Sequence, residues 1–151
     1  MVFDAPKLRL ILTTSALAFL ALLSACSDIP LKHREEAERA RYLQYAGAPI
    51  DEFTYLGRYD SWTALSKDEI VVWTTINDAY LITVAQPCTD IMFVQHIGLT
   101  STLHTVNRRF DFVKVRGQNC FIKQIQPVNY LKMKQDARKA REEAAAQKKE
   151  G

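Results

Sequence analysis

The sequence predicts an α+β fold, in which a mainly antiparallel β-sheet, curled or closed into a small barrel, is flanked by N- and C-terminal helices. Two adjacent runs, 70–76 and 79–84, are rich in β-branched and aromatic residues and flank Asn77-Asp78, a turn pair that tolerates positive φ. Neither run alternates cleanly, which indicates that both faces of the sheet are largely covered. Charged, helix-forming stretches precede and follow this β-rich region.

The chain begins with the pattern of an export signal. Lys7 and Arg9 precede an apolar run at 10–23, which is too short for a comfortable membrane span of about 20 residues. A basic start, an apolar stretch and then small residues are typical of a secretory signal peptide. An uncleaved signal anchor and an ordinary secretory signal with a chance cysteine are the alternatives.

The residues that end this run, Leu23-Ser24-Ala25-Cys26, resemble the lipobox of bacterial lipoproteins. The resemblance implies that residues 1–25 are removed and that Cys26 carries the lipid and anchors the chain in the membrane. Several acyl chains together anchor a protein stably, whereas a single chain does not. Ser27 follows the cysteine, and in lipoproteins of this kind it permits transfer to the outer membrane. We therefore expect a lipid-anchored, periplasm-facing protein at the outer rather than the inner membrane.

Helices are expected on both sides of the β-rich domain, which we place at 48–127. Residues 26–47 are predicted to form the lipidated tether and a short helix, which Gly47 and Pro49 end. Residues 128–151 are predicted to form a charged helix with a weak apolar seam, either solvated or docked on a partner.

Inside the domain, turn residues separate short runs with strand-like composition. A short helix is predicted at 89–97, before Gly98, and the last strand is expected to stop at Pro127. Strands are predicted at 50–56, 61–65, 70–76, 79–84, 99–106, 110–116 and 120–126.

Two cysteines remain once Cys26 is assigned to the lipid. Cys88 and Cys120 would lie in a compartment where disulfides persist, so we predict that they pair. Such a bridge stabilises a fold by roughly 3–4 kcal/mol in the chain-entropy model. Two buried free thiols are the alternative, and a zinc site is not expected because neither cysteine has CxxC or CxxH spacing.

Several stretches of the domain are similar to a family of short bacterial envelope proteins that is classed as a domain of unknown function. The resemblance covers about half of the chain. It implies a β-rich domain and a Cys88–Cys120 pair, and it implies no activity. The matching stretches are 58–62 (RYDSW), 71–74 (VVWT), 79–84 (AYLITV), 87–88 (PC), 97–101 (IGLTS), 110–115 (FDFVKV) and 120–122 (CFI).

Residues for catalysis or metal binding do not form a recognisable pattern. His96 and His104 match no standard ligand spacing; only if they met in space, with Asp90 nearby, would they bind a metal or share a proton. The serines and threonines lie in no nucleophile elbow or SxxK pattern, and the glycines form no phosphate-binding loop. We therefore expect no metal, no cofactor and no enzymatic activity.

Two groups of residues are candidates for a ligand or partner surface. Arg108, Arg109 and Phe112 belong to a basic-aromatic cluster suited to anionic glycolipid, wall polymer or an acidic protein face, or to an ordinary charged strand. Trp62 and Trp73 are candidates for a ligand groove, although a core position is favoured for Trp73.

Nucleic acid is not an expected partner. The net charge of +3 comes from the C-terminal tail, whereas the domain is close to neutral and lacks the basic excess of a nucleic-acid-binding fold. The sequence therefore favours a lipid-anchored binding or accessory module that acts through contacts with an envelope protein. A small β-barrel that binds a ligand or inhibits an envelope enzyme is the alternative.

Overall fold

A computed structural model describes residues 31–150 of the chain. Within these residues are two helices, α1 (Leu31–Gln44) and α2 (Tyr130–Glu150), and eight strands. The strands are β1 (Glu52–Thr54), β2 (Ser61–Ala64), β3 (Glu69–Trp73), β4 (Ala79–Val84), β5 (Gly98–Leu99), β6 (Thr105–Asn107), β7 (Phe112–Val115) and β8 (Gln118–Val128). The predicted signal peptide and the predicted lipidation of Cys26 lie outside the described residues.

Six of the strands form one antiparallel sheet in the order β2-β3-β4-β8-β7-β5. This sheet is curled into a half-barrel, and β1 and β6 pair separately as a two-stranded antiparallel ribbon. With α1 and α2 on either side in the sequence, the fold is α+β, as predicted.

The centre of the sheet is covered on both faces, as the lack of alternation indicated. All five residues of β3 are buried, and Trp73 pairs with Ala79 across the turn to β4. Thr75 stabilises that turn, because its hydroxyl oxygen accepts the N–H of Asp78 at 3.1 Å. Since successive side chains of a strand point to opposite faces, β3 and β4 contribute to two separate cores.

We call the two sides of the sheet the inner and the outer face. The inner core contains Ile70, Val72 and Ile82 from the centre of the sheet. The outer core contains the alternate residues of the same strands, and both helices cover it through side chains such as Tyr42 and Met133. The helices are therefore part of the folded unit, beginning from Arg34, rather than appendages to it.

A two-residue turn joins β7 to β8. Arg116 and Gly117 have φ of 47° and 82°, and Val115 pairs with Gln118. Positive φ at both central residues is the geometry of a type I′ hairpin, whose twist matches that of the flanking strands.

Replacing Gly117 by alanine is expected to lower the free energy of unfolding by about 1 kcal/mol, because a Cβ is unfavourable in the left-handed region. Urea denaturation measures this change. Arg116→Asn is the matched control, since asparagine tolerates this conformation and the exposed ion pair of Arg116 with Asp90 contributes little, so its stability should stay close to that of the parent. A Gly117→Ala variant as stable as the parent would contradict the turn geometry.

The predicted helix at 89–97 is wrong: this segment consists of turns and bends. Asp90 has a φ of 68°, which no α-helix accommodates. Side chains from other parts of the chain form hydrogen bonds with backbone carbonyls of the segment. The Trp62 indole N–H donates to the Gln95 carbonyl at 3.3 Å, and the Tyr59 hydroxyl donates to the Ile97 carbonyl at 2.8 Å. Tertiary contacts therefore replace helical hydrogen bonds here.

Two strand predictions also need correction. The run 99–106 is not one strand, because Leu103 and His104 have positive φ and form a turn between β5 and β6. Pro127 does not end the last strand, which continues to Val128. The Pro127 carbonyl points away from β4 and accepts the N–H of Gly47 at 2.7 Å. The N–H and C=O of a strand residue point to the same side. The N–H that proline lacks would therefore also point away from β4, so proline does not interrupt the pairing with that strand.

Candidate binding surfaces

The structure does not assemble the histidines into a metal site. His104 lies in the turn before β6, where its carbonyl accepts the N–H of Tyr55, whereas His96 lies in the bent segment that Trp62 contacts. Asp90 forms an ion pair with Arg116 at 3.5 Å. Between residues 31 and 150, no group of three or more His, Cys, Asp or Glu side chains is positioned to hold a metal ion.

Asp111, one of the acids in the domain, has a structural position. Its side chain is only 4% exposed. One carboxylate oxygen accepts the hydroxyl of Thr100 at 2.8 Å, and the other accepts the N–H of Asn107 at 2.9 Å. The carboxylate therefore connects the end of β6 to the segment that follows β5.

The two tryptophans lie on opposite faces of the sheet. Trp62 pairs with Val72 and packs at the margin of the inner core, whereas Trp73 pairs with Ser61 and belongs to the outer core. A depression of about 350 Å³ at the edge of β2 has atoms of both residues in its lining, and it is open to solvent. The indole rings themselves do not face one another across a groove.

Trp73 connects the sheet to both helices. Its ring packs edge-on against Tyr42 of α1 and Tyr130 of α2, with centroid separations of 6.0 and 5.4 Å. Its Nε1 is buried without a hydrogen-bond partner among the described residues. Burial of the neighbouring hydroxyl raises the pKa of Tyr42 to about 12.

The Arg108 side chain is held in an ion pair, whereas the Arg109 side chain is exposed to solvent. Arg108 forms an ion pair with Asp51 at 2.5 Å, and this hydrogen bond and charge hold the pKa of the Asp51 carboxyl below its usual value. Arg109 is exposed. Arg108 also lines an open depression of about 380 Å³ with Lys123.

Phe112 is part of an aromatic pair on the outer face. It packs edge-on against Phe121 of β8 with ring centroids 4.9 Å apart, and Phe121 is 61% exposed. Lys114 and Lys123, two residues after each ring, are both exposed. We call these four residues the Phe112/Phe121 patch.

Another apolar site lies at the turn end of β3 and β4. A depression of about 260 Å³ is lined by Thr54, Leu56, Arg58, Thr74, Thr75, Asp78 and Tyr80. We call it the Tyr80 pocket. Leu56 in its lining is 73% exposed, and Tyr80 stacks on Phe53 with centroids 4.1 Å apart and ring planes at 17°. The sequence does not indicate this site, because the loop that carries Leu56 has no local signal for its position.

The predicted disulfide between Cys88 and Cys120 is present. Both cysteines are 2% exposed and lie in the inner core. The bridge joins the loop after β4 to β8 and therefore fixes the non-helical segment that begins at Thr89.

The second half of α2 extends into solvent. Met133 is buried in the outer core, whereas residues 138–149 are all exposed. Neither of the described helices is long and apolar enough to cross a membrane.

These features define a small α+β protein with a disulfide in its inner core and two exposed apolar sites on its surface. The chain belongs to a family of unknown function, DUF6491, whose profile matches residues 8–148. No curated protein and no solved structure matches the chain.

Proposed function

We propose that this protein is a lipid-anchored envelope protein that faces the periplasm and acts as an accessory module by binding another envelope protein. The lipobox-like residues 23–26 support the anchor, and Ser27 favours the outer membrane. The Tyr80 pocket is the observation that carries the binding part of the proposal.

The size and lining of the Tyr80 pocket suit a protein side chain. Its volume of about 260 Å³ is smaller than the roughly 300–1,000 Å³ of ordinary small-molecule sites. Apolar Leu56 and Tyr80 are combined with Arg58 and Asp78, which resembles the apolar centre and polar rim of a protein interface. We infer that one apolar side chain of the partner enters the pocket, with polar groups of the partner around it.

The pocket is also held in shape before any partner binds. Phe53, against which Tyr80 stacks, is 4% exposed and pairs with Val106 between β1 and β6. The Asp78 carboxylate accepts the hydroxyl of Thr75 at 2.7 Å. A preformed site loses less conformational entropy on binding, which favours affinity.

A photo-crosslinking amino acid at Leu56 of the full-length chain, expressed in cells, tests the protein contact. The same probe at Leu131, which is exposed on α2, is the control. We expect one dominant envelope protein to be captured at Leu56 and not at Leu131. Absence of a specific adduct at Leu56 would contradict the proposal and favour the ligand-binding alternative.

The captured protein is then purified, and its affinity is measured for the parent and for Leu56→Asp. A central apolar contact contributes about 2 kcal/mol or more, so we expect the affinity to fall about thirtyfold. Phe93→Asp is the matched control, because Phe93 is 78% exposed in a different loop, and its affinity should equal that of the parent. Equal affinity for Leu56→Asp and the parent would contradict the assignment of the pocket.

The anchor is tested separately by mass spectrometry of the N-terminal peptide from the membrane fraction. We expect the mature chain to begin at an acylated Cys26, and we expect Cys26→Ser to leave the membrane fraction. A mature chain with unmodified Cys26 would refute the anchor.

A further inference from the structure

The Phe112/Phe121 patch combines exposed aromatic and basic side chains. Lys114 extends over β5, where Gly98 leaves room for it: a Cβ on Gly98 would lie 3.2 Å from the Lys114 Cβ. Lys114 and Lys123 form no ion pair among the described residues, whereas acids of the same part of the fold, Glu69 and Asp90, are already paired with arginines. The patch is therefore a region of net positive charge with an apolar centre.

The patch lies on the outer face, at the Glu69 end of the sheet. Glu69 begins β3 and pairs with Thr83 of β4. Ala85, two residues after Thr83, donates its N–H to the carbonyl of Phe121 at 2.8 Å, so Phe121 lies at the same end of the sheet as Glu69. Ile122 is buried in the inner core, so the preceding Phe121 points to the outer face.

Helix α1 crosses the same face, and its part within the folded unit, Arg34–Gln44, is oriented with Arg34 toward the end of the sheet that carries the patch. Arg39 forms a bidentate ion pair with Glu69, the first residue of β3. About one helical turn later, Tyr42 packs against Trp73, the last residue of that strand. From Arg39 back to Arg34, the helix therefore runs toward the end where Phe121 lies.

We propose that the Phe112/Phe121 patch contacts the anionic surface of the membrane in which Cys26 is anchored. This inference rests on the lipid anchor of the proposed function. The eight residue-to-residue steps from Cys26 to Arg34 span at most about 28 Å, so the anchor would keep the domain close to the bilayer.

The chemistry of the patch fits a lipid surface better than a protein face. Lysine ammonium groups next to an anionic leaflet contribute about 1 kcal/mol each. Aromatic rings insert into the interfacial region, while the long lysine stems let their charges reach the headgroups. Because several acyl chains already hold the protein, the patch orients the domain on the membrane and does not need to provide the attachment itself.

Flotation of the mature Cys26→Ser chain with vesicles tests the inference without the lipid. The vesicles contain phosphatidylglycerol and phosphatidylcholine in equal parts, or phosphatidylcholine alone. We expect binding to the anionic vesicles only. Lys114→Gln with Lys123→Gln should lower the partition coefficient about thirtyfold, and Phe121→Ser should lower it about fivefold.

The matched control is Lys148→Gln with Lys149→Gln, which removes the same charge from the exposed end of α2. Its partition coefficient should stay close to that of the parent, and all variants should keep the unfolding midpoint of the parent. Failure of the parent to bind anionic vesicles, or an equal loss in the control pair, would overturn the inference. Unmodified Cys26 in cells would refute the anchor alone, because the vesicle experiment uses a chain without lipid.

Discussion

Replacing Cys88 and Cys120 together by alanine is expected to lower the free energy of unfolding by about 4 kcal/mol. The bridge connects residues 32 positions apart. Cross-linking a loop of that length removes chain entropy from the unfolded state that corresponds to about this amount. Since small domains are stable by only about 5–15 kcal/mol, the loss is a large fraction of the total.

Urea denaturation of the parent with and without a reducing agent, and of the double variant, measures this contribution. Reduction should shift the parent toward the double variant, and it should leave the double variant unchanged. We also expect proteases to cleave first within the loop that follows Cys88, because this segment lacks helix and strand hydrogen bonds. A reduced parent as stable as the oxidised one would show that the bridge contributes little.

The sequence predicts the centre of the sheet well because the local signal and the tertiary environment agree there. The strand β4 has the predicted bounds, and β3 begins one residue earlier and ends three residues earlier than predicted. The cysteine pair was predictable from the number of cysteines and the compartment that the export signal indicates. Each of these inferences depends on composition or short-range pattern and needs no knowledge of the loops.

The failures occur where distant contacts decide the backbone. The segment 89–97 has a helix-compatible composition, yet the positive φ of Asp90 and the hydrogen bonds from Tyr59 and Trp62 prevent a helix. Positive φ at Leu103 and His104, neither of them glycine, has no strong sequence signal.

The candidate surfaces were only partly predictable for a related reason. Whether Trp62 and Trp73 share a face depends on the register between β2 and β3, which the turn between them determines. A shift by one residue would have placed both rings on one side. The pairing of Phe112 with Phe121 likewise requires the short turn between β7 and β8.

The two proposed contacts lie at opposite ends of the sheet. The Tyr80 pocket includes Thr74 and Thr75, which follow the last residue of β3, whereas the Phe112/Phe121 patch lies at the end where β3 begins. If the Phe112/Phe121 patch contacts the membrane, the Tyr80 pocket lies at the far end of β3 and stays accessible to a protein in the periplasm. The two proposals are compatible in one orientation of the domain.

Trp73→Ala is expected to lower the free energy of unfolding by about 4 kcal/mol, the usual cost of removing a buried large aromatic ring. Trp73 is 7% exposed and contacts Tyr42 and Tyr130, so its loss leaves a cavity between the sheet and both helices. This loss includes the two edge-on aromatic pairs, which contribute about 0.5–1.5 kcal/mol each. The same variant should therefore loosen α1 and α2 together.

Trp73→Phe separates ring packing from the indole N–H. Because Nε1 has no partner among the described residues, the phenyl ring loses no hydrogen bond, and we expect a cost of only about 1 kcal/mol. Trp62→Ala, on the inner face and only half-buried, should cost less than Trp73→Ala. Urea denaturation compares the three variants, and hydrogen exchange of the α1 amides reports the docking of the helix. Equal stability of Trp73→Ala and Trp62→Ala, with α1 protected in both, would contradict the central position of Trp73 between sheet and helices.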